Sequence, residues 1–490
     1  MDRRHTAALA ICLATAAITL PAQTPTPPPA VTKFIKINGP RTLLTHVRII
    51  DGTGAAPLED QSILIENGKI TSISSNPPTA AQAQILDLHG YTVIPGLVGM
   101  HDHMYYIARP NFDALGNSEP PLIVPQMTFS APRMYLAAGV TTLRTTGSVE
   151  PYTDLNLRRE IDAGHLPGPH MDVTGPYLEG PNSPFLQMHN LRDAEDARQT
   201  VRFWAAQGVT SFKAYMNITR DELKAAIDEA HKLNLKVTGH LCSVTYPEAA
   251  ELGIDNLEHG FVVNTQLDPD KQADLCPKTS GTPTRQKMTP DSPEAKALFK
   301  LLIDHHVAIT STLPVFEADG NGRPPLEPRI LAAMTPQARE AYLYVRNLQS
   351  TAPAARQNPN PRAVLFQREL DMERAFAAAG GTLLAGPDPT GDGHVLPGYG
   401  DQREVELLVQ AGFTPVEAIK IATLNGATYL NQQARIGSIA PGKNADLVVI
   451  KGDPSTKISD IENVEIVFKD GVGYDSAKLL DSIKGRYGQY

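Results

Sequence analysis

Val93-Ile94-Pro95-Gly96-Leu97-Val98-Gly99-Met100-His101-Asp102-His103 runs from an apolar strand into a pair of histidines. On a strand, residues i and i+2 share a face, so His101 and His103 can grip one cation at the strand's end. The pair alone says little, because 14 histidines in 490 positions yield one His-x-His by chance roughly 0.4 times. Its position and its company give it weight.

Downstream, from about Gly96 to Gln432, short apolar strands alternate with amphipathic helices, the signature of parallel βαβ units. The strands fall at Leu97 to His103, Val140 to Thr146, Met171 to Thr174, Thr210 to Tyr215, Lys236 to His240, Asn256 to Gly260, Val307 to Thr312 and Thr382 to Asp388. Eight is the number of strands in a (β/α)8 TIM barrel. Thr219-x-x-Glu222 and Thr414-Pro415-x-Glu417 spell capping boxes, so helices start there. Two long excursions, Val262 to Pro293 and Pro314 to Arg362, each follow a strand and so belong to the catalytic face as lids or walls.

His240 ends the fifth strand, His259 the sixth and Asp388 the eighth, where barrel enzymes gather their chemistry. Singly, each reads as a satisfied core histidine or a helix-capping aspartate; four strands ending alike is a different matter. Lys213 sits on the fourth strand in phase with Ser211 and Tyr215. A buried, unpaired lysine is costly. It is either paired with a carboxylate or kept neutral to take up carbon dioxide, giving a carbamate whose two oxygens bridge two cations. Arg144 ends the second strand in phase with Val140 and Thr142, and either holds a substrate carboxylate or forms a structural salt bridge. His189 and His394 are weaker loop candidates.

Both flanks of this region have another texture. From Thr42, short strands with turn signals appear: Leu43 to Ile50, Ser62 to Glu66, then Asn67-Gly68, the strongest hairpin signal, and Lys69 to Ser72. After Gly437 strands return at Ala445 to Ile450 and Glu465 to Lys469. The expected organisation is a leader (1–22), a linker (23–41), a small β-sandwich domain built from both ends of the chain (42–95 with 434–475), the barrel (96–433) and a C-terminal tail (476–490).

Arg3 and Arg4 followed by the apolar stretch Ala7 to Leu20 and Pro21-Ala22 read as a signal peptide, which implies export to the periplasm or the medium. The formal charge of -9 gives no reason to expect nucleic acid as a partner, and no later apolar run is long enough to span a bilayer. Beyond the leader only Cys242 and Cys276 remain, too few for a disulfide framework but enough for one bridge.

The Val93 to His103 stretch, the Lys213, His240, Glu258-His259-Gly260 and Asp388 positions, and Pro441-Gly442-Lys443-Asn444-Ala445-Asp446-Leu447 together resemble the amidohydrolase superfamily. Lys213 followed by Tyr215 is similar to the branch holding imidazolonepropionase-related proteins and prolidase-like dipeptidases with a carboxylated lysine. The resemblance implies a more buried metal on His101, His103 and Asp388, a more exposed one on His240 and His259, and a Lys213 carbamate between them. Family members often read Gly-Thr-Asp before the last ligand; this chain reads Gly386-Pro387-Asp388, which keeps the carboxylate. The expected chemistry is attack on a small amide, a dipeptide or N-acyl amino acid, by water activated between two divalent ions, zinc by preference. Asp388 would shuttle the proton and Tyr215 would donate to the developing oxyanion.

A cyclic amidase or lactonase would use the same site. A deaminase would carry His-x-x-Glu on the fifth strand, where this chain has His240-Leu241-Cys242-Ser243. A silent barrel would have lost ligands, and all six stand in this sequence. Assembly into homo-oligomers is left open.

Overall fold

A computed structural model describes residues 28–77, 81–108, 122–123, 128–183, 185–317, 325–353, 357, 359–389 and 395–488. The expected leader and His394 lie outside them. Eight parallel strands, each followed by a helix, make up the larger part: β1 (Leu97–Asp102), β2 (Val140–Thr145), β3 (His170–Val173), β4 (Ser211–Ala214), β5 (Lys236–Gly239), β6 (Asn256–Glu258), β7 (Ala308–Ser311) and β8 (Leu383–Ala385). They pair in sequence order in two runs, β1 to β3 and β4 to β8. Single parallel bridges, Thr174 to Ser211 and Leu178 to Ala214, connect the runs. At the other edge the Asp388 N–H donates to the His101 carbonyl at 3.0 Å.

Helix starts follow the spelling. Thr219 and Thr414 cap the helices Arg220–Lys232 and Pro415–Lys420 in full capping boxes, and Thr245 with Glu248 does the same for Tyr246–Leu252. Each box satisfies amide donors that the first helical turn leaves without partners.

The two chain ends meet in one nine-stranded sheet. Its order is Ile35–Ile37, Val472–Asp475, Val464–Lys469, Leu447–Lys451, Tyr91–Pro95, Arg41–Ile49, Leu58–Glu66 and Lys69–Ser74, with Gln84–Asp87 beside Arg41–Ile49. Asn67 (φ 49°) and Gly68 (φ 79°) make the tight turn between Leu58–Glu66 and Lys69–Ser74. Alternate residues of the central strand serve two cores. Leu447 and Val449 join the sheet's own cluster with Leu44, Ile63 and Phe468. Val448 and Ile450 join the large cluster that holds Leu136, Val140 and Val405. The sheet is therefore fused to the strand-and-helix body by an apolar face rather than tethered beside it.

Both terminal segments carry structure of their own. Part of the 23–41 linker is folded: Val31 and Phe34 are buried and Ile35–Ile37 forms the sheet's edge. Such apolar residues are driven out of water once a partner strand exists for them to cover. The 476–490 tail holds the helix Ser476–Asp481, whose Leu479, with Ile483 and Tyr487 beyond it, is buried. The Thr335 N–H donates to the Tyr487 carbonyl, so this end clasps the second excursion.

Candidate metal centre

Each ligand-type side chain lies at or just past the C-terminal end of its strand. His101 is in β1 and His103 one residue beyond it; His240 and His259 follow β5 and β6 directly, and Asp388 stands three residues past β8. His259 (φ 69°) and Asp388 (φ 54°) both take left-handed backbone, a strained state that the surrounding structure must impose and that gathers at functional sites. Gly386 permits the approach of β8 to β1, since a Cβ there would stand 2.2 Å from the His101 nitrogen.

The side chains converge. One ligand atom each from His101, His259 and Asp388 lies within 4.8 Å of the others, and all three residues are buried. His103 Nε2 is 3.1 Å from Asp388 Oδ1, and His101 Nε2 is 3.5 Å from the same oxygen. Lys213 Nζ is 3.0 Å from His101 Nε2. The His240 ring is 4.4 Å from that of His259, centroid to centroid, and 4.9 Å from that of Tyr215. Tyr215 also meets Tyr177 and Phe185 edge-on, forming an aromatic wall on the His240 side.

One nitrogen of each of three rings is already engaged. His101 Nδ1 meets Glu258 Oε2 at 2.7 Å, His103 Nδ1 meets the Gly147 carbonyl at 3.1 Å, and His259 Nδ1 meets the Thr312 hydroxyl at 2.9 Å. A carbonyl only accepts, so His103 carries its proton on Nδ1 and turns the Nε2 lone pair toward Asp388. Burial lowers the pKa of all three, with Lys213 adding to the effect on His101 and His240 to that on His259. Burial raises the Asp388 carboxyl, but the positive charge around it, that of Lys213 included, outweighs burial and holds it well below the usual range.

A neutral imidazole lone pair thus faces an ionised carboxylate across 3.1 Å. His103 Nε2, His259 Nε2 and Asp388 Oδ1 are all buried without a hydrogen-bond partner. Orphaned buried acceptors cost about 1–3 kcal/mol each, and a cation shared among them removes that cost. Imidazoles whose far nitrogen is held by a carboxylate, carbonyl or hydroxyl are oriented as metal ligands are. The donor set therefore fits one or two divalent ions of the zinc type.

Arg144 is held within the fold by several buried groups. It is 1% exposed. Its Nη2 donates to Met100 O, Asn256 Oδ1 and Glu258 Oε1 at 2.6, 2.9 and 2.8 Å, and its Nε donates to Met100 O. Its Nη1 is buried with no hydrogen-bond partner. Its work is to hold Glu258, which holds His101. Sequence reasoning misses this role of Glu258; the readable signal is an acid in phase with Asn256 on a buried strand, opposite a buried arginine. His189 pairs with Asp196 at 3.1 Å and does not join the centre.

Among curated proteins, the Adenine deaminase 2 of Jannaschia sp. (strain CCS1) is 37% identical over 68 residues, 14% of this chain and 11% of that protein. The chain thus spans about a tenth of the length of the curated relatives it matches. Solved structures match more widely. Bottromycin amidohydrolase superposes with a TM-score of 0.66 at 22% identity, covering 94% of this chain and 93% of that one. An Xaa-Pro dipeptidase with methionine bound in its active site gives 0.63 at 20% identity, covering 89% and 100%. The amidohydrolase family model matches residues 92–312 and 394–473, taking in His101, His103, Lys213, His240 and His259 and leaving Asp388 to be supplied by geometry. With that match running over more than half its length, the chain belongs to the amidohydrolase family.

Proposed function

We propose that this protein is an exported, metal-dependent hydrolase that cleaves the C–N bond of a small amide, a dipeptide or N-acyl amino acid. The observation that carries the reading is the convergence of buried ligand atoms: one each from His101, His259 and Asp388 within 4.8 Å of the others, with His103 Nε2 3.1 Å from Asp388 Oδ1. In this reading β1 to β8 close as a barrel and the nine-stranded sheet folds over its core as a sandwich.

His101, His103 and Asp388 would hold one ion, His240 and His259 a second, and a Lys213 carbamate would bridge them. Such ions supply an activated water and polarise the scissile carbonyl. Asp388, ionised, accepts the water's proton on its carboxylate and returns it to the leaving nitrogen. Tyr215, edge-on to His240, is placed to donate to the developing oxyanion. Phe316, 5.7 Å from the His259 ring, opens the second excursion and keeps bulk water from that side. Export accords with the Cys242–Cys276 disulfide, whose Cα atoms are 4.8 Å apart.

The test is kcat/KM of zinc-loaded protein across dipeptides, N-acyl amino acids, cyclic amides and lactones, for wild type and Lys213→Ala. Wild type should prefer the linear amides. Lys213→Ala should lose most activity and at least one metal equivalent, with partial rescue by small carboxylic acids. Lactones or cyclic amides turned over equally well would overturn the substrate class. A Lys213→Ala variant with full metal content and wild-type turnover would overturn the bridge.

A further inference from the structure

A second set of metal-type ligands stands away from the centre just described, where the parallel strands meet the nine-stranded sheet. His170 opens β3, Asp446 directly precedes the strand Leu447–Lys451, and Asp470 is in the turn between Val464–Lys469 and Val472–Asp475. One ligand atom from each lies within 4.8 Å of the other two. We propose that His170, Asp446 and Asp470 bind a divalent cation of the zinc type that staples the sheet to the strand-and-helix body.

Three further observations support it. His170 Nε2 lies 2.8 Å from Asp470 Oδ2, yet the pair lacks the angle of a hydrogen bond and Nε2 has no other partner. Asp446 is 5% exposed, and its Oδ2 is buried with no donor, while its Oδ1 accepts from the Asp470 N–H at 2.7 Å. An orphaned carboxylate oxygen beside a second carboxylate is a costly arrangement without a cation between them. Finally, Asp162 Oδ1 stands 3.5 Å from His170 Nδ1, on the far side of the ring, as the carboxylate of a carboxylate–histidine–metal triad does.

Nearby charge does not do the same work. Lys469 Nζ is 3.9 Å from Asp470 Oδ2 and Asn444 Nδ2 donates to Asp470 Oδ1, but the Asp446 Oδ2 gains no donor from either. The His170 side chain is 29% exposed and that of Asp470 48%. An ion can therefore enter from solvent and complete its shell with water. Two carboxylates and one imidazole suit zinc, with water as a further ligand.

The experiment uses the full chain, stripped with a chelator and titrated with zinc alone, with bound metal counted by mass spectrometry and stability followed by Tm. Wild type should retain one zinc equivalent more than His170→Ala and more than the near-isosteric Asp446→Asn. A His101→Ala/His103→Ala variant, disabled at the main centre, should keep that extra equivalent and still rise in Tm on adding zinc; adding His170→Ala should abolish the rise. Equal zinc content in wild type, His170→Ala and Asp446→Asn overturns the proposal, as does a Tm rise that survives His170→Ala in the disabled background. Far-UV circular dichroism confirms that each variant is folded. Since the decisive comparison is made without a working main centre, its result stands apart from the fate of the amide-hydrolase reading.

Discussion

Arg144 and Glu258 are an ion pair with almost no solvent on either side, 1% and 0% exposed. Removing one partner from such a pair leaves a buried charge uncompensated and costs about 3–5 kcal/mol. Arg144→Met should lower the urea midpoint accordingly, and Arg144→Met/Glu258→Gln should recover much of the loss. A single variant as stable as wild type would contradict this role. His170 makes a second residue-level prediction. Burial opposes its charge, but the Asp162 and Asp470 carboxylates, 3.5 and 2.8 Å from its two ring nitrogens, outweigh burial and raise it to about 8. A pKa raised on folding gives stability that is fully present below the ordinary value of about 6.5 and lost as pH climbs through 8. In chelated protein the effect should be about 1–2 kcal/mol between pH 6 and pH 9, visible as a drop in urea midpoint that His170→Gln flattens. An unchanged drop in the variant would assign it elsewhere. At this scale the ligand types were legible because they end strands. The partners that aim them were not: Gly147 acts through a carbonyl, which every residue has, and Thr312 through a hydroxyl that strands commonly carry.

The loops after β5 and β6 are joined by the disulfide between Cys242 and Cys276, which closes 34 residues of chain. By loop entropy such a link is worth about 3–4 kcal/mol, and it anchors the first excursion to the loop that carries His240. Cys276→Ser should lower Tm, and protein unfolded without reductant should show no thiol at either position. Two reactive thiols there would remove the bond from the account. Helix starts were legible because a capping box is a local device: Thr219 and Thr414 needed only four residues of context. The strand Ile35–Ile37 was read as linker because its partner, Val472–Asp475, lies at the other end of the chain. No local pattern announces a partner so remote, and strand propensity reports chiefly the neighbours a strand finds.

Over the whole molecule, the alternation of eight strands and helices was legible, and so was the return of strands after Gly437. Their joining with the first strands in one domain was legible too; that they form a single continuous sheet, fused through Val448 and Ile450 to the larger core, was not. That sheet has a consequence in time. Leu447–Lys451 lies in its middle, antiparallel to Tyr91–Pro95, so the ribosome must make residues 96–446 before the neighbour of Tyr91–Pro95 exists. Until then the strand leading into His101 keeps one open edge, and the ligands of β1 rest on an unfinished support. The nascent chain is thus held back from its final form until Leu447–Lys451 has emerged, and the support beneath His101 is completed only then.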